Sequence, residues 1–249
     1  KSIIASSVFL SNVYWYDSLQ VYGAEASSLK PFLHTWSLAV EEQYYLFFPI
    51  VMIIIFKWFR NHAVLILISL AVVSLLFAEA MSRYDSSFSF YIIYSRFWEL
   101  LIGSLLAYSR HVRPEKESDK FLIKLMPFIG LCLVLYSIVF ISYKEISHPG
   151  FVTLVPLIGT VLIIWFSQKD ELVTKLLSSR FFVATGLISY SLYLWHFPIF
   201  SFLRIEGVFG EATIKILAIG LTFILSFASY KLIEQPFRSK VKVSNRLFW

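Results

Sequence analysis

The chain has 249 residues, 58% hydrophobic and 15% charged, with a formal net charge of +6 and a mean hydropathy of +0.71. A soluble domain of this length cannot bury so much apolar surface, so composition excludes a water-soluble globular protein and predicts an all-α, polytopic helical membrane protein. The lone cysteine, Cys132, excludes an internal disulfide,.

Taken in chain order, residues 2–10 are apolar but too short to span, and read as the end of a helix or a re-entrant piece,. Residues 11–34 mix polar and aromatic side chains and are expected to form a loop outside the hydrocarbon. The first span, 35–57, carries adjacent carboxylates at Glu41 and Glu42 about two turns from its start,. Further apolar runs at 63–80, 89–108, 122–142, 150–167, 182–203 and 212–233 bring the expected number of spanning helices to seven,. Residues 234–249 form a basic tail. The chain starts at Lys1 without an initiator Met or a signal-peptide pattern, and is expected to be a piece of a longer protein,.

Lysine and arginine set the orientation. Alternate loops place thirteen of them on one side (Lys57, Arg60, Arg110, Arg113, Lys116, Lys120, Lys169, Lys175, Arg180, Arg238, Lys240, Lys242, Arg246) and five on the other (Lys1, Lys30, Arg83, Lys144, Arg204). The positive-inside rule then puts the C-terminus in the cytoplasm and residues 11–34 outside. Topology and anionic lipid headgroups account for the basic surplus, so no nucleic-acid partner is called for.

Ionisable groups well inside a span are functional candidates, because the hydrocarbon tolerates them only beside polar partners. The first span has Glu41 and Glu42, the third Arg96 and Glu99, the sixth His196. At 1.5 Å per residue all five lie about 10–15 Å from the outer ends of their helices, so a folded bundle can gather them in one outer-half cavity,. Arg96 and Glu99, spaced i,i+3, can pair with each other. Glu41 and Glu42 point about 100° apart, so one of the two is expected to face the cavity. Tyr190, Tyr193 and Trp195 can satisfy His196, and Pro198 frees the carbonyl of Leu194. His34 reads either as lining an acceptor entrance or as an interface residue. Glu234 and Arg238 read as an ion pair, and Glu79 as a snorkelling helix-end residue. The sequence shows no Gly-rich phosphate loop, no metal-spaced Cys/His cluster and no G-x-S-x-G elbow, so no metal is expected.

Five stretches, FLSNVYWY (9–16), LHTWSLAVEEQYYLFFP (33–49), SRFWELLIGSLLA (95–107), ISYSLYLWHFPIF (188–200) and YKLIEQPFR (230–238), together resemble the acyltransferase-3 family of membrane O-acyltransferases. The likeness covers nearly the whole chain and is strongest to the bacterial branch that acetylates lipopolysaccharide O-antigen, peptidoglycan and other exported polysaccharides. It implies a core of about ten helices, seven of them here, that moves acetyl from cytoplasmic acetyl-CoA to an extracytoplasmic glycan hydroxyl. On that resemblance residues 1–249 are a partial acyltransferase-3 transmembrane domain: 1–34 outside, 35–233 the bundle, 234–249 the cytoplasmic tail. The family's base is a histidine on its first helix, following an arginine. Neither precedes Lys1, so this chain alone is expected to be inactive. In the most similar branch an SGNH-type domain often follows.

For the residues present, roles are inferred from the chemistry of acyl transfer, at positions that the resemblance supports. Glu41 or Glu42 assists the base, and Arg96 stabilises the oxyanion or holds Glu99. Tyr190, Tyr193 and His196 offer hydrogen bonds, and Trp36 stacks on a sugar ring beside His34. The acyl-CoA donor, the glycan acceptor and membrane lipids are the expected partners, in the bacterial cytoplasmic (inner) membrane. The alternative reading is a secondary transporter or proton-coupled channel that uses the buried Glu, Arg and His; against it, the spans show no paired halves.

Overall fold

The structure, a computed structural model, describes residues 1–21, 26–112, 121–141 and 148–238. Most of the charged loop expected at 109–121, the tail beyond Arg238, and Arg113, Lys116, Lys120, Lys144, Lys240, Lys242 and Arg246 of the charge count lie outside the described residues. The described residues are helical throughout, with no strand among them: α1 (Ser2–Ser7), α2 (Ser11–Leu19), α3 (Thr35–Trp58), α4 (Ala63–Tyr84), α5 (Ser86–Tyr91), α6 (Ile93–Val112), α7 (Phe121–Phe140), α8 (Leu154–Phe166), α9 (Leu172–Leu177), α10 (Arg180–Leu187), α11 (Ser189–Ile205), α12 (Ala212–Ser229) and, after a π-helical turn at Tyr230–Glu234, α13 (Gln235–Arg238).

Five helical segments are long and apolar enough to cross a membrane: Thr35–Trp58, Arg60–Tyr84, Ser86–Val112, Ile123–Phe140 and Ala212–Arg238. The other two expected spans differ. The run at 150–167 holds a shorter apolar helix, Phe151–Phe166, and the run at 182–203 breaks at Ile188 into α10 and α11. Residues 11–34 are not all loop, because Ser11–Leu19 is helical and buries Ser11, Asn12 and Trp15. Burial is inverted as the bilayer requires. On α3, Leu46 and Ile53 are about two-thirds exposed, at 66% and 67%, while Ala39, Val40 and Tyr44 are buried.

The core lies where α3, α4 and α6 meet. α4 turns a stripe of Ala63, Leu67, Ala71, Ser74, Ala78 and Ser82 inward. Such small residues let backbones approach closely, which is how helices associate when lipid removes the hydrophobic drive between them. Trp98 and Leu101 of α6 are fully buried against this core. Ser74 Oγ donates to the Tyr94 carbonyl at 2.6 Å and accepts from the Trp98 backbone N–H at 3.1 Å. α7 and α8 cross even more tightly: a Cβ on Gly130 would stand 2.5 Å from the Gly159 carbonyl oxygen.

Two expected polar contacts are replaced by others. Glu79 does not snorkel. Its carboxylate takes Arg83 and the backbone N–H of Phe151, the latter at 2.9 Å, tying α4 to the start of the α8 segment. Glu234 does not pair with Arg238; it accepts from Ser191 Oγ of α11 at 2.6 Å, because the π turn swings it toward that helix.

Candidate active site

The third span is built around a break that positions its charges. Asp85 caps α5 by accepting from the Phe88 N–H at 2.9 Å. Ile92 then adopts extended backbone, with ψ of 141°, and α6 restarts at Ile93. A break leaves carbonyls without their i+4 donors. Ser95 Oγ takes the Ser89 carbonyl, and Arg96 Nε reaches the Phe90 carbonyl at 3.4 Å. Arg96 Nη1 donates to Glu99 Oε1 at 3.1 Å and to Oε2 at 3.4 Å, so the i,i+3 pair forms. The guanidinium also lies over Trp36 and Phe90, 5.4 and 5.1 Å from their ring centres, which offsets its desolvation,.

Glu41 of α3 faces this pair. A cavity of about 210 Å³ is lined by Trp36, Ser37, Val40, Glu41, Arg96, Glu99 and Leu100. The carboxylates at 41 and 42 separate as helix geometry requires. Glu42 lies instead with Asn12 and Gln43 on a different, mostly apolar groove of about 640 Å³. Trp36 lines the same cavity as Glu41. Phe90 packs at 4.5 Å from it, and Arg96 covers it as well.

Ser37 links the cavity to α11. Its Oγ is 2.5 Å from the Tyr193 hydroxyl, and that hydroxyl donates to the His34 carbonyl. The His34 ring does not line the cavity. It is 6% exposed and enclosed by Tyr193, His196 and Phe197, with ring centres 5.1, 5.7 and 5.3 Å away. Neither ring nitrogen has a hydrogen-bond partner among the described residues. Burial, then the charge of His196, holds the His34 pKa down at about 4, opposed only by the Pro31 carbonyl, so the ring is neutral at physiological pH,. His196 sets its Nδ1 against the carbonyls of Tyr193 at 2.7 Å and Leu192 at 3.1 Å. Carbonyls only accept, so Nδ1 carries a hydrogen. Tyr190 is 46% exposed and lies away from the cavity wall, within electrostatic range of Glu41, Glu42 and Glu234.

The geometry therefore pairs Arg96 with Glu99 and sets Glu41 on the same cavity. It attaches Tyr193, His34 and His196 through Ser37, and leaves Glu42 and Tyr190 outside. Sequence reasoning missed Ser37 and the Phe90 carbonyl. Ser37 was legible, because it stands i−4 from Glu41 on the same face. The Phe90 carbonyl was not, because it depends on the break at Ile92.

These segments lie within the part of the chain that matches known proteins. The Acyltransferase domain of the acyltransferase-3 type matches residues 2–231. O-acetyltransferase OatA of Staphylococcus aureus strain NCTC 8325 / PS 47 is 31% identical over 255 residues, covering 96% of this chain and 41% of its own length. The OatA proteins of strains COL and MRSA252 give the same figures. The chain thus spans about two fifths of the length of the curated relatives it matches. No solved structure matches it. With the family match running from residue 2 to residue 231 and relatives at 31% identity, the chain belongs to the acyltransferase-3 family.

Proposed function

We propose that this protein moves an acyl group, acetyl by the name its relatives carry, from cytoplasmic acyl-CoA to a hydroxyl of an extracytoplasmic polysaccharide such as peptidoglycan or lipopolysaccharide O-antigen. On this reading it works in the bacterial cytoplasmic membrane with its C-terminus inside. The observation that carries the reading is the cavity in which Glu41, Arg96 and Glu99 face one another within the membrane-spanning bundle. In the transfer the hydroxyl oxygen attacks the thioester carbonyl, the C–S bond breaks, and the thiolate leaves and takes up a proton. Among the described residues Arg96 Nη2 has no partner, and it offers a hydrogen bond to the oxyanion,. Glu99 keeps the guanidinium in place. Glu41, which shares the cavity but has no hydrogen-bond partner among the described residues, orients the acceptor or the base that takes its proton,.

The test is the O-acetyl content of surface polysaccharide, by mass spectrometry, in cells that depend on each variant. Arg96→Ala lowers it by about 10²- to 10³-fold, the range for losing an oxyanion donor. Glu41→Gln lowers it by about 10²-fold. Glu42→Gln, on the other groove, leaves it within about twofold. Equal loss at the two glutamates would refute the division of labour. Proton-coupled uptake without any acetylation would turn the reading toward a transporter.

A further inference from the structure

Hydrogen-bond direction in the Ser37 relay identifies a second contact for the acceptor. The His34 carbonyl can only accept, so the Tyr193 hydroxyl spends its single proton there,. Tyr193 then receives rather than gives at Ser37, and the Ser37 proton is committed to Tyr193 across 2.5 Å. The one alternative acceptor near Ser37 Oγ is the same His34 carbonyl, at 3.5 Å. Either way the Ser37 proton points out of the cavity. Ser37 also lines that cavity, one turn before Glu41. It therefore presents only lone pairs to whatever enters.

The polar wall of the cavity is accordingly lopsided. Ser37, Glu41 and Glu99 accept; the donors are the Trp36 indole N–H and Arg96, whose Nε and Nη1 are already taken by Phe90 and Glu99,. A site rich in acceptors selects a ligand rich in donors, and it penalises a ligand that leaves those acceptors dry. A lone alcohol brings one proton, and the reaction claims it. A polyhydroxylated acceptor brings more.

We propose that Ser37 holds a second, non-reacting hydroxyl of the acceptor, so that the enzyme takes acceptors carrying neighbouring hydroxyls, one at the reacting position beside Glu41 and one donating to Ser37 Oγ. Tyr193 is the positioning residue that keeps Ser37 an acceptor. The proposal rests on the acyl-transfer reading above, and adds to its polysaccharide acceptor the need for a second free hydroxyl next to the reacting one.

Membranes containing the full-length protein, permeabilised with detergent, are given radiolabelled acetyl-CoA and surface polysaccharide from the same cells with its O-acetyl esters removed by mild alkali. Ser37→Ala raises the acceptor KM about three- to tenfold, the loss of one neutral hydrogen bond, while the acetyl-CoA KM stays at the wild-type value. Ser37→Thr keeps the hydroxyl and restores the acceptor KM, which a packing role for the methylene would not require. An unchanged acceptor KM in Ser37→Ala, equal shifts in both KM values, or failure of Ser37→Thr to restore binding overturns this proposal while wild-type transfer leaves the acyl-transfer reading standing. Absence of transfer by the wild-type protein overturns both.

Discussion

The contact between α4 and α6 and the contact between α3 and α11 are made of opposite materials. The first is a packed seam. Ala71 and Ala78 bring the backbones together, Trp98 and Leu101 fill the space with no exposure, and Ser74 ties both chains. The second is narrow and polar. Tyr193 bonds Ser37 of α3, and the rest of this contact is made by the chain just before α3: Tyr193 also bonds the His34 carbonyl, His196 and Phe197 pack on the His34 ring, and Ser201 Oγ donates to the Ser28 carbonyl at 3.0 Å. Arg96 and Glu99 stand on the packed side, and Tyr193 and His196 on the polar side. The contrast teaches which half of the site is rigid. Charges that must hold their geometry are rooted in close packing. The hydroxyls and rings that meet them arrive on α11, which packs along α12 and reaches this side of the site through a few directional bonds.

The largest effect is expected at His34, where the polar contact titrates. Its pKa in the folded protein is about 4, against 6.5 unfolded. The folded state therefore resists the proton that the unfolded chain accepts. The stability associated with the neutral buried ring is complete above pH 6.5 and is lost as pH falls toward 4,. The full difference is worth ~3 kcal/mol. Thermal unfolding in detergent should show a drop between pH 7 and pH 5 that His34→Phe, with the ring kept and the nitrogens removed, abolishes. A drop of the same size in His34→Phe would place the titrating group elsewhere.

The packed contact should respond to volume and not to pH. Ala78 is fully buried, and its carbonyl receives the Ser89 hydroxyl at 3.2 Å. Ala78→Leu should destabilise by about 1–3 kcal/mol, as overpacking of a close helix contact does, with the same loss at pH 7 and pH 5. Equal stability to wild type would mean that α4 and α6 are not as close as their small residues imply.

The two contacts were not equally legible in the sequence. The helical membrane class followed from composition, and the i,i+3 pairing of Arg96 with Glu99 from helix period alone, because both depend on local geometry,. So did the separation of Glu41 from Glu42. The breaks at Ile92 and Ile188 were not legible. Apolar runs continue through them, and only tertiary hydrogen bonds, such as Arg96 to the Phe90 carbonyl, reward the lost helical ones. Trp36 illustrates the same limit: only the fold shows Phe90 and Arg96 packed beside it.

The smallest effect expected is also the one that compares the contacts most directly. Ser201 is fully buried, and its hydroxyl is tied to the Ser28 carbonyl away from every reacting group. Ser201→Ala removes that donor and leaves a backbone acceptor without its partner, a loss of about 1 kcal/mol. The control is Thr222→Ala in α12, a buried hydroxyl outside both contacts. There the hydroxyl bonds its own helix at Ala218, 2.7 Å away, and holds no second element. If the α3–α11 contact rests on few bonds, Ser201→Ala should loosen α11 as a unit. Hydrogen exchange across 189–205 should then rise about fivefold at 25 °C, in keeping with that energy. Thr222→Ala should leave exchange in the same residues unchanged. Similar protection of 189–205 in both variants would show that α11 is held by packing after all, and that the two contacts differ in composition but not in strength.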